Sequence, residues 1–147
     1  MQRRLIRLHL FGLLFLLANP GQAIEQATEI TWQAWSPEIF AQAKKENKLI
    51  LLDLGAKWCN WCKKMDTVTY RNQQVVNVIN ENYIAVRADV DQHPELAQRY
   101  KNYGPPTTVV YNSTGTEIIK RPGYMEAQIL YWMLDTVAAD PDPAAHR

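Results

Sequence analysis

The sequence predicts an α/β domain with a central mixed β-sheet flanked by helices. Strand and helix patterns alternate along the chain and end in a hairpin and a last helix. Residues 48–54, Lys-Leu-Ile-Leu-Leu-Asp-Leu, contain an apolar run broken only by Asp53, which is typical of a central strand covered on both faces. Residues 107–120 are typical of a β-hairpin, so we expect a sheet that is parallel in its first half and antiparallel at one edge.

The first 23 residues have the layout of a secretory signal peptide. Three arginines lie within the first seven residues, an apolar run follows at 10–18, and Gly21 and Ala23 are small residues in a turn-forming segment. The apolar run is about half as long as the roughly 20 residues that a membrane-spanning helix needs. We therefore predict export and cleavage after Ala23, with an uncleaved membrane anchor as the alternative.

The composition fits one ordinary domain. The chain has 147 residues, of which 47% are hydrophobic, enough for a proper core. The 16 basic and 15 acidic residues nearly cancel, so charge gives no reason to expect a nucleic-acid partner. We predict a folded domain at 24–139 and a flexible tail, rich in proline and alanine, at 140–147. We recognise no dimerisation segment and expect a monomer.

The elements of the amino-terminal half follow in order. A short edge strand is predicted at 28–32. Ser36 is a good helix N-cap and the proline after it suits the first helical position, so a helix should run to about Asn47. After the strand at 48–54 and a short loop, the next helix begins at Cys59.

The carboxy-terminal half continues the alternation. Apolar periodicity and turn residues predict its boundaries. The predicted elements are a helix at 72–80, a strand at 83–89, a helix at 94–100, strands at 107–111 and 117–120, and a last helix at 125–138. We expect Trp32, Trp35 and Trp132 to pack in the core or against the amino-terminal segment.

Cys59 and Cys62 are spaced to act together. At positions i and i+3 of a helix, their side chains share one face about 5–6 Å apart, which allows a disulfide with little backbone movement. Cys59 lies at the predicted helix N-terminus, where free N–H groups and the helix dipole stabilise a thiolate. Cys62 lies one turn further in, and we expect it to be the less exposed cysteine. We therefore predict a redox-active disulfide in which Cys59 attacks a client disulfide and Cys62 resolves the mixed disulfide.

Other uses of a Cys-x-x-Cys pair fit less well. Haem attachment requires a histidine directly after the second cysteine, where this chain has Lys63. A zinc site requires two further ligands, and the only histidines after the signal segment are His93 and His146. We therefore predict no metal and no cofactor. An inert structural disulfide stays as an alternative, although such a bond would more usefully close a longer loop.

Two further residues fit this chemistry. Asp53 is a carboxylate within an apolar strand; burial raises the pKa of such a group, which can then accept the Cys62 proton. The alternative is a partly hydrated carboxylate paired with a lysine such as Lys57. Pro106 opens a strand after a break, and a cis proline there would bring a loop next to the active-site helix. The alternative at Pro106 is an ordinary trans turn.

These features, in this order, resemble the thioredoxin family. Residues 52–59, Leu-Asp-Leu-Gly-Ala-Lys-Trp-Cys, resemble the family's Asp-Phe-x-Ala-x-Trp-Cys pattern. Residues 89–94 resemble its third-strand exit, and residues 106–111 resemble its cis-proline strand. Gly123 stands where the family has a glycine before the last helix. The resemblance covers about 37–137 and implies a thioredoxin fold.

Within this family, the chain resembles in particular the carboxy-terminal periplasmic domain of DsbD-type thiol:disulfide interchange proteins. Residues 63–65, the region of Thr69 and residues 121–125 carry this likeness. The likeness implies a reducing role in the periplasm. Its partners would be client proteins with disulfides or thiols and a membrane electron donor of DsbD type.

Two positions depart from the family's patterns. The residues between the cysteines are Asn60 and Trp61, neither the Gly-Pro of thioredoxins nor the Pro-His of strong oxidants, so a reduction potential cannot be transferred. Pro105 stands where the family pairs its backbone with a bound client chain, and proline lacks the N–H for one of those bonds. The resemblance implies that Trp58 contacts clients. We expect Trp61 and Tyr103 to complete an apolar patch around the site, and the alternative for both is a role in packing alone.

The leading hypothesis is therefore a periplasmic thiol–disulfide oxidoreductase that reduces disulfides of client proteins. A disulfide oxidase, which donates its disulfide to folding proteins, is the alternative enzyme, and the reduction potential separates the two. A thioredoxin-fold binding or assembly module without turnover is the alternative of a different class. The presence of Cys59, Cys62, Asp53 and Pro106 argues against such a module.

Overall fold

The computed structural model describes residues 27–146 of the chain, and the signal segment predicted at 1–23 lies outside the described residues. Within that range the strands are β1 (Trp32–Ala34), β2 (Leu49–Gly55), β3 (Tyr83–Asp89), β4 (Thr107–Tyr111) and β5 (Glu117–Pro122). The α-helices of the same range are α1 (Glu38–Glu46), α2 (Asn60–Thr67), α3 (Gln73–Asn82), α4 (Pro94–Arg99) and α5 (Ala127–Ala139). Short 3-10 turns occupy Thr69–Arg71 and Pro143–His146.

The strands form one mixed sheet in the order β1-β3-β2-β4-β5. β3 pairs in parallel with both β1 and β2, whereas β4 pairs antiparallel with both β2 and β5. The predicted α/β sheet with an antiparallel edge is therefore confirmed. The register of β2 places Asp53 opposite Arg87 of β3 and opposite Thr108 of β4. This pairing determines which side chains surround the carboxyl of Asp53.

Each face of the sheet is covered by its own hydrophobic core. The side chains of β2 alternate between the two cores, as those of a strand buried on both faces must. Leu51 packs with residues of α3 and α5, whereas Ile50 and Leu52 pack with residues of α1 and α4. Asp53 comes two residues after Leu51 and therefore extends toward the face covered by α3 and α5. Met65 of α2 belongs to the core on this same face.

Helix caps fix the helix ends nearest to the cysteines. Cys59 is the N-cap of α2, and its sulfur accepts the N–H of Cys62 at 3.1 Å. Asn72 caps α3 by accepting two backbone N–H groups of the first turn. The start of α1 differs by one residue from the prediction, because Pro37 rather than Ser36 is the N-cap residue; the Ser36 carbonyl oxygen accepts the Ile39 N–H at 3.2 Å.

The edge strand also differs from its prediction, and the tail contains a short regular turn. The strand lies at Trp32–Ala34 rather than at 28–32, because these are the residues that pair with β3. Residues Pro143–His146 of the tail form a 3-10 turn in contact with β5. The flexibility of residues 140–147 stays a prediction.

Two of the three tryptophans that we expected to pack inside do so. Trp32 and Trp35 each pack edge-on against an aromatic neighbour. The expectation for Trp132 is wrong: this side chain is 58% exposed, because α5 turns Leu130 and Leu134 toward the core. Of the helices between residues 27 and 146, none combines the length and the apolar character that crossing a bilayer requires.

Candidate active site

Cys59 and Cys62 form a disulfide at the start of α2. Their Cα atoms are 5.3 Å apart, as the spacing of three residues on a helix predicts. The loop before α2 leaves the carboxyl end of β2, so the disulfide lies at the edge of the sheet where β2 and β3 end. The Cys62 N–H points at the Cys59 sulfur, and this contact favours negative charge on Cys59 in the reduced protein.

The relative exposure of the two cysteines is opposite to the prediction. Cys59 is only 5% exposed, whereas Cys62 is half-buried. Cys62 lines a cavity of about 390 Å³ behind α2, which accounts for its greater exposure. Asp53 and Gly55 line the same cavity, and a Cβ at position 55 would make an ordinary van der Waals contact, at 3.6 Å, with the Cys62 sulfur.

Asp53 is a buried carboxyl with a guanidinium partner. It is 8% exposed, and the Arg87 Nε donates to its Oδ2 at 3.2 Å. Burial raises the pKa of Asp53 to about 6; the Arg87 charge opposes this effect, and the Asp66 charge adds to it. The alternative of a hydrated carboxylate paired with Lys57 is wrong, because the partner is Arg87 and the carboxyl is buried. Lys57 does line the cavity.

Arg87, Asp66 and Tyr70 complete the site, and the sequence analysis missed all three. Arg87 forms an ion pair with Asp66 of α2 and lies over the ring of Trp32, with its Cζ atom 4.0 Å from the ring centre. Tyr70 packs at the same place, with its ring centre 5.5 Å from the Arg87 Cζ atom. The sequence did contain two signals. Arg87 is a charged residue inside a predicted central strand, and Asp66 lies four residues after Cys62 on the same face of its helix.

The loop before β4 contains the two prolines singled out from the sequence. The peptide bond between Pro105 and Pro106 is cis. Pro106 is buried, and its carbonyl oxygen accepts the Gly123 N–H at 2.8 Å, which ties this loop to the end of β5. Tyr103 is exposed, with the Lys120 ammonium 5.4 Å from its ring centre, and it lines a different cavity from that of Cys62.

Two exposed tryptophans flank the disulfide. Trp58 is 62% exposed, and its Nε1 donates to the carboxylate of Asp91 at 3.0 Å. Trp61 is 57% exposed and packs against Tyr124, with ring centres 5.4 Å apart. The Lys64 ammonium lies over the rings of Trp61 and Tyr124. The tryptophans therefore have fixed partners although most of their surface is free.

The described part of the chain offers no cluster of three or more histidine, cysteine, aspartate or glutamate side chains placed to hold a metal ion. His93 lies near the Glu95 carboxylate, at 3.3 Å, and the His146 ring contacts the Asp140 carbonyl oxygen. These two histidines are thus engaged in local contacts.

Comparison with known proteins relates the chain to one family profile and to curated proteins that are much longer than this chain. Residues 21–115 match a family profile described as "Thioredox_DsbH: Protein of unknown function, DUF255". The thiol:disulfide interchange protein DsbD of Yersinia pestis (strain Pestoides F) is 32% identical over 107 residues, which are 68% of this chain and 18% of that protein. Spermatogenesis-associated protein 20 of Rattus norvegicus is 34% identical over 74 residues, 50% of this chain and 9% of that protein. The chain therefore spans less than a fifth of the length of either relative.

Solved structures identify the fold. The solution structure of a thioredoxin from Thermus thermophilus superposes with a TM-score of 0.68 at 21% identity, covering 81% of this chain and 98% of that one. The predicted thioredoxin fold is therefore confirmed.

Proposed function

The chain belongs to a family of thioredoxin-like thiol–disulfide oxidoreductases of the DsbH and DsbD type, and we propose that it is an exported reductase of protein disulfides. One observation carries the proposal. The Cys59–Cys62 disulfide lies at the N-terminus of α2 and shares a cavity with the buried Asp53 carboxyl. A dithiol in this position can attack a disulfide, and the carboxylate can take up the proton that the second attack must release.

Reduction of a client would run in two exchange steps. The Cys59 thiolate attacks one sulfur of the client disulfide, a new S–S bond joins Cys59 to the client, and the other client sulfur leaves as a thiolate. Asp53 then takes the Cys62 proton, and the Cys62 thiolate attacks the Cys59 sulfur. This step forms the Cys59–Cys62 disulfide and releases the second client thiolate. The client gains two electrons, and the dithiol of this protein is oxidised.

One feature of the site favours reduction over oxidation. Asn60 and Trp61 carry no charge, so the residues between the cysteines do not add the thiolate stabilisation on which strong oxidants depend. The similarity to DsbD supports exchange with other redox proteins in either direction, since that relative is named a thiol:disulfide interchange protein.

The pattern of residues 1–23 supports the proposal that the protein is exported to the bacterial periplasm. A reductase in an oxidising compartment consumes its own dithiol at each turnover and must be reduced again. We infer a membrane electron donor of DsbD type, with the protein acting as a monomer. If the protein is exported and cleaved as proposed, amino-terminal sequencing of the form isolated from the periplasmic fraction will begin at Ile24.

The surface around the disulfide supports contact with an extended client chain. Trp58 and Trp61 offer exposed aromatic area beside the cysteines. The loop with Pro105 and Pro106 would lie along the client backbone, and Tyr103 would extend this surface. Since Pro105 has no N–H, its contribution to such pairing is limited to its carbonyl oxygen.

Single-cysteine variants test the site and the two roles together. The chain has two cysteines in all, so Cys62→Ser leaves one thiol and any mixed disulfide must form at Cys59. We expect Cys62→Ser to accumulate a covalent adduct with an oxidised client peptide, detected by mass spectrometry, and Cys59→Ser to be inactive in insulin reduction. An adduct that accumulates on Cys59→Ser and not on Cys62→Ser would reverse the assigned roles.

The reduction potential of the Cys59–Cys62 couple tests the direction of electron flow. It is measured by equilibrating the protein with glutathione buffers. A value near that of thioredoxin, about −270 mV, supports the reductase, whereas a value near that of DsbA, about −120 mV, would make the protein an oxidase. A protein that binds clients and exchanges no disulfide with them would instead be a binding module.

A further inference from the structure

Two buried hydroxyl groups next to Asp53 have no hydrogen-bond partner. They are the hydroxyls of Tyr70 and Thr108, and they are the only such buried side-chain atoms among residues 27–146. Tyr70 is 4% exposed, and Thr108 is completely buried. Buried polar groups are nearly always hydrogen-bonded, so two exceptions at one place call for an explanation.

Both hydroxyls approach Asp53, from two different elements. Thr108 of β4 is the register partner of Asp53, so their backbones are directly opposed. Tyr70 belongs to the 3-10 turn after α2, and it is held there by an edge contact with Trp32, whose ring centre is 4.9 Å from that of Tyr70. The Tyr70 hydroxyl is close enough to Asp53 to lower the pKa of that carboxyl, although its geometry falls short of a hydrogen bond. Asp53 in turn raises the pKa of Tyr70 further above its ordinary value, and Thr108 lowers it.

The donor and acceptor capacities of the three groups give them an order. An ionised carboxylate can only accept, so the Tyr70 hydroxyl must donate to Asp53, and its oxygen is then left to accept from the Thr108 hydroxyl. The order is therefore Thr108 to Tyr70 to Asp53. Neither hydroxyl lines the cavity that contains Cys62, so both reach the carboxyl from elsewhere.

The remaining groups near Asp53 differ from these two. Arg87 contacts the carboxyl from β3 and carries a charge, and Asp66 lies beyond Arg87 on α2. Lys57, Lys63, Asp89 and Cys62 line the same cavity as Asp53. Tyr70 and Thr108 are the neutral donors in this set. Removal of one of these hydroxyls therefore changes the surroundings of Asp53 without changing any charge.

We propose that Tyr70 is a positioning residue for proton transfer, whose hydroxyl donates to the ionised Asp53 carboxylate and receives a hydrogen bond from Thr108. The inference rests on the proposed function, because it concerns the step in which Cys62 loses its proton. In that step the Cys62 S–H bond breaks, the proton joins an Asp53 oxygen, and the electron pair stays on sulfur for attack on the mixed disulfide. Such a donor, added to that of Arg87, keeps Asp53 ionised at neutral pH and holds the carboxylate in a fixed orientation.

Tyr70→Phe tests this by removing one oxygen atom. The assay is single-turnover reduction of an oxidised peptide by the pre-reduced protein, followed between about pH 5 and pH 9. The exchange rate falls at low pH as Asp53 becomes protonated, and we call this part of the pH–rate profile its acid limb. Loss of one hydrogen bond to the carboxylate should move the acid limb to higher pH by about half to one pH unit. On that limb the rate falls about three- to tenfold, and above about pH 8 it is not reduced.

Two controls separate positioning from packing. Tyr83→Phe also removes a buried hydroxyl, one that donates to the Leu134 carbonyl oxygen at 2.6 Å, and it should leave the limb in place. In an Asp53→Asn background, Tyr70→Phe should no longer move the limb. A wild-type profile for Tyr70→Phe would overturn the proposal, as would a shift that persists without the Asp53 carboxyl.

A second variant tests the same chain of hydroxyls from its other end. Thr108→Val, which lacks the hydroxyl, should move the acid limb in the same direction by a smaller amount. Thr108→Ser, which keeps the hydroxyl, should have the wild-type profile. If both threonine variants behaved alike, the proposal would fail even where Tyr70→Phe folded poorly. These outcomes are distinct from failure of the proposed function, in which the wild-type protein itself would reduce no disulfide.

Discussion

Replacing Asp53 by asparagine removes a carboxyl that ionises inside the protein while it keeps the size of the side chain. The pKa of Asp53 is raised to about 6, because burial disfavours the charged form more than the Arg87 guanidinium favours it. The folded protein therefore holds this proton more tightly than the unfolded chain does. Between the ordinary value of 3.8 and about 6, rising pH ionises the unfolded chain first, so the free energy of unfolding decreases.

The size of this effect follows from the two pKa values. The interval from 3.8 to about 6 corresponds to about 3 kcal/mol, at about 1.4 kcal/mol per pH unit. Roughly four fifths of this loss in the free energy of unfolding develops between about pH 4 and pH 8. Arg87 keeps its ion pair with Asp66 in the variant, so no cation is left unpaired. We therefore expect Asp53→Asn to be more stable than the wild type by about 2–3 kcal/mol at pH 8, and by much less at pH 4.

The assay is urea unfolding of the oxidised protein at several pH values, followed by the fluorescence of the chain's five tryptophans. Asp135→Asn, which removes an exposed carboxylate on α5, is the matched control. Its stability relative to the wild type should not rise with pH. A difference between Asp53→Asn and the wild type that stays constant with pH would refute the reasoning. If the stability of Asp53→Asn relative to the wild type instead decreased above about pH 6, the attraction between Arg87 and the Asp53 carboxylate would outweigh the cost of burying that carboxylate.

The same variant should lose activity while it gains stability. Asparagine cannot take up the Cys62 proton, so single-turnover reduction at neutral pH should slow by about 10²- to 10⁴-fold, the usual contribution of a positioned base. Far-ultraviolet circular dichroism of the variant should match the wild type, which would exclude unfolding as the cause. An unchanged rate would leave Asp53 with a structural role.

Three further substitutions test the surroundings of the site and the frame that holds it. Arg87→Gln removes the cation that lowers the pKa of Asp53, so that pKa should rise above about 6 and the acid limb of the exchange rate should move to higher pH. Gly115→Ala should lower the free energy of unfolding by about 1–3 kcal/mol in urea titrations, because φ is +86° at this turn and the added Cβ would lie 3.0 Å from Phe40. Asn72→Ala removes the side-chain cap of α3 and should cost about 1 kcal/mol in the same titrations.

The central strand was predictable because one local pattern determines it. Residues 48–54 are apolar at nearly every position, and an apolar run of that length is buried on both faces of the sheet whatever its neighbours are. The start of α2 was predictable for a similar reason. Cys59 and Cys62 at helical spacing need nothing beyond their own helix to meet, so the sequence alone predicted their contact.

The partners of Asp53 were not predictable in this way. Arg87 lies 34 residues further along the chain, and it reaches Asp53 because β2 and β3 pair in the register that opposes these two residues. A shift of one residue would have sent Arg87 to the other face of the sheet. Lys57 was the nearer cation in sequence, and it was the wrong choice because proximity along the chain carries no information about strand register.

The cost of burying Asp53 bears on why the site is built as it is. A carboxyl that lowers stability at neutral pH would be replaced without loss by asparagine if its role were packing. The surrounding groups instead bring its pKa to about 6 from opposite directions, with burial and Asp66 raising it and Arg87 and Tyr70 lowering it. A carboxylate with that pKa is ionised at pH 7 and is still basic enough to take a proton from a neighbouring thiol. The two arms of the Asp53→Asn experiment, stability gained and exchange lost, would therefore have a single cause.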